Sequence, residues 1–280
     1  MNDILRNEDA SPVELSAESI EAVKETPRQR AFKKFSLAAI NAIPWIGGFI
    51  VAAIESRDDP HKVDDLLKQW IEHHARKLND LRDTLRQISD RLANFGDEIN
   101  TRIESPEFLG IVDKAFRAWD EAATKQKQDS VRRLITNAAA TSLCSDDLVR
   151  LFLEWIRKYE DTHFRVIEAI YRRPGINRRD IWLSMHPTIP RDTSSEADLF
   201  KLLIHDLSLG HVIRQQRHET PAGQFLKTPN RGRGSSSRTM KSPFDADEPY
   251  ELTELGQQFV HYVMDEVAPQ IGGERRAPPG

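Results

Sequence analysis

Only one cysteine, Cys144, occurs in the 280 residues. That excludes an internal disulfide and suits a reducing compartment. In the segment AATSLCSDD no basic neighbour stands beside it to lower its pKa, so the expected role is a buried structural thiol. Signatures of catalysis are scarce too. The run GRGSSSR lacks the lysine and the spacing of a phosphate-binding loop, and its glycines do not follow a strand and open a helix. Cys144 and His163 have no third orienting group in view. The acidic pair Asp146-Asp147 falls at a helix start, where carboxylates favour the dipole. His73-His74 have no further ligands at metal spacing. These absences point to a protein that is not an enzyme and needs no cofactor or metal. No signal peptide is evident, because 34 residues containing many acids precede the first apolar run.

What the chain does have is charge and helical pattern. Charged residues make up 30% and aromatics 8%, a globular composition with a strongly solvated surface. The net charge of -4 gives no global attraction to nucleic acid, so binding of that kind has to be local. One uncharged run of twenty residues stands out, Phe35 to Ile54, preceded by Arg28, Arg30, Lys33 and Lys34. At 1.5 Å per residue it matches a hydrocarbon core of roughly 30 Å. Pro44 and the pair Gly47-Gly48 interrupt it, which favours two short helices, 30 to 42 and 48 to 57, joined by the bend IPWIGG. A buried hairpin in the resting fold is the preferred reading. Contact with an anionic membrane surface through Pro44, Trp45, Ile46, Phe49 and Ile50 is the other.

A heptad-like seam follows. Leu67, Ile71, His74, Leu78, Leu81, Leu85, Ile88 and Leu92 recur in steps of four and three, and Phe95 and Ile99 continue the series. The spacing predicts one helix over 60–102, about 60 Å long, with a coiled-coil seam whose partner is either a second copy, which makes these the candidate oligomerisation residues, or another helix of the same chain. His74 is the one polar member, read as a residue that tunes register. Ser105-Pro106-Glu107 starts the next helix, whose stripe runs Phe108, Ile111, Ala115, Phe116 and Trp119. Further stripes cover Val131 to Ala138 and Leu148 to Tyr159. Thr162, Asn177 and Ser195 open three more helices, the last closed by Gly210. HVIRQQ reads as a strand, a long Gly, Ser and Pro-rich loop follows, and PYELTELGQQFVHYV returns as a strand and a helix capped by Thr253.

The segment LSLGHVIRQQ, followed beyond that loop by YELTELGQQFVHYV, resembles the end of MarR-like and related winged-helix modules. In those an apolar helix closes on Gly, a strand leads out, and an L-T-x-x-G pattern, here Leu252, Thr253 and Gly256, follows the wing. The resemblance covers about 100 residues, from Thr162 to Met264. It implies a third helix that enters the major groove and a wing that meets phosphates. The general layout, with its IPWIGG bend, long helices and KQDSVRRLITNAAATSL, is similar to bacterial helical proteins of the abortive-infection type. That likeness implies a hairpin shielded at rest and exposed to a membrane on activation.

The fold expected is mainly α: a helical bundle or coiled-coil domain with a buried apolar hairpin, then a winged-helix α+β domain. Residues 1–27 form an acidic arm, 28–160 the helical domain, 161–267 the winged helix and 268–280 a tail. Residues 163–241 hold 14 Lys or Arg against 7 Asp or Glu, which favours phosphate contact. Arg214, Arg217, Arg231, Arg233, Arg238 and Lys241 are the candidate nucleic-acid contacts. Against that, Glu196 and Asp198 stand at the start of the recognition helix. The leading function is a non-enzymatic bacterial regulatory or defence-type effector, a homo-oligomer in the cytoplasm or at the periphery of the inner membrane. Its alternatives are a dimeric DNA-binding regulator and a scaffold for a partner protein.

Overall fold

The computed structural model describes residues 26–48, 60–141, 144–216, 242–244 and 249–264, and within 60–66 only the side chains of 64 and 65. The chain is mostly helical, with one small three-stranded antiparallel sheet. No described helix is long and apolar enough to cross a membrane. Internal contacts divide the chain into two compact units, Met1–Asp113 and Lys114–Gly280. This cut lies ahead of the 160/161 boundary drawn from the sequence.

In the first unit, α1 (Pro27–Asn41) opens on a reciprocal cap. The Thr26 hydroxyl accepts from the Gln29 N–H at 3.2 Å, and the Gln29 side chain accepts from the Thr26 N–H at 2.9 Å. Pro27 occupies the first turn, where a missing donor leaves nothing unpaired. The helix stops at Ala42, and helical backbone resumes over 44–48. The break is therefore narrower than the expected IPWIGG bend, and Pro44 opens the second stretch instead of interrupting one. Phe35, Ala39, Ala42 and Ile43 are buried, while Leu37 is half exposed.

The long helix α2 runs Pro60–Leu92, 33 residues and about 50 Å. It does not continue to 102. A turn over 93–97 containing Gly96 intervenes before α3 (Glu98–Glu104). Phe95 and Ile99 are buried on either side of that turn, so the apolar series passes through a break in the helix. The guanidinium of Arg28 caps the break, donating to the carbonyls of Leu92 at 2.7 Å and Phe95 at 2.8 Å. Lys34 pairs with Glu104 at 2.7 Å, and α1 packs against α3. Two of the four cations ahead of the apolar run thus hold the C-terminal ends of α2 and α3.

α4 (Pro106–Glu121) crosses the division between the units. The second unit continues with α5 (Lys125–Ala140), α6 (Asp146–Lys158) and α7 (Asp161–Arg172). It is completed by β1 (Ile176–Asn177), α8 (Arg178–Met185), α9 (Ser195–Leu209), β2 (Ile213–Gln215), β3 (Pro249–Leu252) and α10 (Glu254–Val263). Thr124, Ser145, Asn177, Ser194 and Thr253 each accept a backbone N–H three residues on, which sets five of the helix starts. The caps of α7 and α9 are Glu160 and Ser194, slightly ahead of the expected Thr162 and Ser195. β3 lies between β1 and β2, antiparallel to both, with Ile176 and Gln215 opposite Tyr250 and Ile213 opposite Leu252.

α10 gathers the unit. Thr253 Oγ1 donates to the His211 carbonyl at 2.6 Å and accepts from the Gly256 N–H at 2.9 Å. Phe259 meets Trp155 edge-on at 5.2 Å and Phe152 at 5.4 Å. Asn137 Nδ2 donates to the Tyr262 carbonyl at 2.9 Å, which ties α5 to α10 across 125 residues of sequence. The α5–α6 pair thus shares a core with the sheet and α10, so the contact division falls ahead of it.

A Cβ at Gly256 would lie inside contact distance of the Val212 carbonyl oxygen, a backbone atom with no freedom to move aside. Gly to Ala inside a helix ordinarily gains about 0.5–1 kcal/mol. Gly110, with open space around its Cβ direction, should gain that much on replacement by Ala. Gly256→Ala should instead lose about 2 kcal/mol or more. Thermal denaturation of the two variants beside the parent chain checks the contrast, and equal or raised stability of Gly256→Ala would contradict the close approach.

Candidate interaction surface

The most distinctive outward face of the second unit belongs to α9. Its inward side buries Ala197, Phe200, Leu203, Ile204 and Leu207. Its outward side carries Leu199 at 51%, Leu202 at 52% and Leu209 at 64% exposure, spaced so that they share one side of the helix. Glu196 and Asp198 occupy the first turn. The carboxyl of Glu196 is held below its usual range, first by its own backbone N–H and then by the Ser194 hydroxyl, so it belongs to the helix start. Lys201, the one cation of the helix, pairs with Asp198 at 3.1 Å.

Beside this face lies an aromatic cluster between α8 and α9. Trp182 meets Phe200 edge-on at 5.5 Å, and its indole N–H donates to the Thr188 carbonyl at 2.7 Å, which fixes the ring. Phe244, from the connection between β2 and β3, stacks on Phe200 at 5.6 Å and meets Trp182 at 5.2 Å. Ser242 Oγ accepts the Phe244 N–H at 3.2 Å and donates to Asp192 at 2.9 Å. Trp182, Phe200, Pro243 and Phe244 are buried, whereas Leu183 and Leu199, next in sequence to Trp182 and Phe200, are exposed.

Several of the described basic residues of this unit are paired within it. Arg214 pairs with Glu251 on the adjacent strand at 2.7 Å. Arg178 donates to the Tyr250 hydroxyl at 2.5 and 2.8 Å and lies over its ring. Arg172 pairs with Glu168 and Arg173 with Asp180. Of the residues expected to meet nucleic acid, Arg217, Arg231, Arg233, Arg238 and Lys241 lie outside the described residues.

In the first unit the seam of α2 divides along its length. Leu81, Ile88 and Leu92 are buried and Leu78 and Leu85 half-buried, while Leu67 is 37% and Ile71 45% exposed. His74 is satisfied within the chain. Its ring stacks on Trp45 at 4.6 Å, and Nδ1 donates to the Trp70 carbonyl at 3.0 Å. Trp45 also meets Trp70 at 5.5 Å, with Lys77 over its ring at 5.8 Å. Pro44 is exposed, Trp45 and Ile46 are half-buried, and Phe49 and Ile50 fall outside the described residues.

Groups suited to chemistry do not converge among the described residues. No cluster of three or more metal-ligating side chains occurs there. Cys144 is buried, and burial raises its thiol pKa. A surface hollow between α4, α5 and α6 is lined by charges that pair with each other, Lys127 with Glu160 at 2.9 Å and Arg157 with Glu121 at 3.0 Å. His163 is a buried titratable group that the sequence reading did not recognise as buried. Nδ1 accepts the Glu160 N–H at 3.0 Å, the ring stacks on Tyr159 at 5.1 Å, and Nε2 lies 3.8 Å from Asp206 of α9.

Burial lowers the pKa of His163, and Asp206 and Glu160 offset only part of that. A histidine harder to protonate folded than unfolded leaves stability complete above the ordinary value of 6.5, and stability falls as pH drops through its lower folded value. Urea midpoints at about pH 7.5 and about pH 5.5 should therefore differ. His163→Gln keeps an acceptor for the Glu160 N–H and should narrow that difference; an unchanged difference would remove His163 as a source of acid sensitivity. Comparison of the chain with protein-family models, with curated proteins and with solved structures finds no match.

Proposed function

We propose that this chain is a non-catalytic regulatory or effector protein that works by protein contacts. In this reading the open half of α2 self-associates, and the second unit is a winged-helix-type module whose α9 meets protein in place of DNA. The order of α7, β1, α8, α9, β2, β3 and α10, with β3 between its two antiparallel neighbours, is consistent with such a module. The L-T-x-x-G pattern has a physical role in it, because Thr253 and Gly256 bring α10 close to β2. The observation that carries the reading is the outward face of α9. A helix that reads base edges needs Arg, Lys, Asn or Gln there. α9 offers Leu199, Leu202 and Leu209 beside two carboxylates.

A DNA-binding regulator is the second reading, favoured by the cluster Arg231, Arg233, Arg238 and Lys241 in the β2–β3 connection. Membrane contact is weakened by the engagement of Arg28 and Lys34 inside the first unit. Fluorescence anisotropy with generic duplex DNA at about 50 mM salt separates the first two. The protein-contact reading expects no association, and binding that weakens steeply with added salt would overturn it. Sedimentation equilibrium of the full chain tests self-association. Leu67→Asp with Ile71→Asp should raise the dissociation constant at least about tenfold, some 1.4 kcal/mol, with little loss of fold because both residues are exposed. A parent chain that sediments as a monomer at all concentrations would remove the self-association part.

A further inference from the structure

Two residues, Tyr159 and Glu160, connect α6 to α7, and both have extended backbone angles. Glu160 stands ahead of α7, so its N–H needs an acceptor from outside the helical ladder. That acceptor is Nδ1 of His163, at 3.0 Å. A backbone N–H can only donate, so Nδ1 of the neutral ring carries no proton and the ring hydrogen sits on Nε2. Nε2 is buried without a hydrogen-bond partner, and the carboxylate of Asp206, in the last turn of α9, lies 3.8 Å from it. Tyr159 stacks on the imidazole at 5.1 Å and sets its hydroxyl against Gly210, where a Cβ would lie inside contact distance. The α6–α7 junction is therefore seated on the C-terminal end of α9.

We propose that His163 is an acid-operated latch on this junction: protonation at Nδ1 turns the acceptor of the Glu160 N–H into a donor, ejects that N–H, and passes the ring to Asp206. A proton can enter only at Nδ1, because Nε2 already holds one, and two donors then face each other across the cap. The imidazolium also stands in the first turn of α7, where the helix dipole disfavours a cation, while its Nε2–H gains a charged acceptor in Asp206. The other charges around the ring are held from α5 or belong to α6. Glu160 pairs with Lys127 at 2.9 Å, and Asp161 accepts from the Thr124 hydroxyl at 3.1 Å. Lys158 opposes the cation, and Tyr159 stays neutral, its hydroxyl pushed up to about 12 by burial and then by Asp206. Burial keeps the His163 transition below the ordinary 6.5, so the latch is closed above that value and opens as pH falls through the lower folded one. Opening frees the backbone at the start of α7 while α5 still holds both carboxylates, which loosens one joint and leaves the helices on either side intact. The latch works alike whichever partner α9 meets.

Nuclear magnetic resonance of the deuterated, nitrogen-labelled full chain provides the test. At about pH 7.5 the His163 ring should show Nδ1 as the unprotonated nitrogen and its hydrogen on Nε2; a hydrogen on Nδ1 would overturn the proposal. On acidification the exchange protection of the Glu160 amide, corrected for its intrinsic rate, should fall at least about tenfold with the same midpoint as the His163 ring, while amides inside α6 keep theirs. His163→Gln keeps an acceptor and cannot titrate, so its Glu160 amide should stay protected throughout. Asp206→Asn removes the carboxylate that receives the charged ring; it should move the His163 midpoint further down and leave the neutral tautomer unchanged. The parent chain alone decides the case in which His163→Gln does not fold. Glu160 protection that ignores the His163 titration, or a chain that unfolds as a whole before the ring titrates, makes the contact a plain helix cap and removes the latch. A midpoint unmoved in Asp206→Asn removes the exchange of partners.

Discussion

The second unit depends on how closely α10 approaches the end of α9 and the start of β2. Gly256 lies against the Val212 carbonyl, and the Thr253 hydroxyl bridges the His211 carbonyl and the helix start. That approach sets where Phe259 and Tyr262 fall. Phe259 then serves as the common neighbour of Phe152, Trp155 and Phe164, and Tyr262 is held from α5 by Asn137 and Thr141. Helices far apart in sequence share one apolar core because one residue has no side chain. Inside such a core a methyl group with no room has large consequences.

The same core leaves α9 with two unlike sides. Its inner side is committed to packing, and Asp206 near its C-terminal end lies 3.8 Å from His163 of α7. Its outer side carries exposed leucines, with two carboxylates in the first turn and one lysine paired to one of them.

Much of the local architecture was legible in the sequence because polar caps are local signals. Asn177 and Thr253 cap the helices they were expected to cap. The steps of four and three in α2 were equally plain, but the end of the helix was not. Phe95 and Ile99 keep the spacing across the turn at Gly96, so an apolar pattern reports burial without reporting backbone continuity. Contacts across long separations left no local trace. Nothing near Arg28 indicates that it serves carbonyls at 92 and 95, since its position beside an apolar run suits a solvated helix start as well as an anionic membrane surface. Phe244 is a single aromatic in a polar stretch, and only the fold brings Trp182 and Phe200 to it. β1, at two residues, is shorter than any alternation that could announce it.

α2 joins two mechanical regimes in one continuous rod. From Leu81 to Leu92 it is rooted by burial and by the Arg28 clip; from Leu67 to Ile71 its apolar edge is open to solvent. Helical hydrogen bonds couple the two halves, so torque or displacement applied at the open end reaches the rooted end within about one rigid length of some 50 Å. Toward its outer end the helix keeps the contacts of Trp70 and His74 with Trp45 but not the burial of Leu81 to Leu92, so the cost of local opening falls from Leu92 toward Leu67.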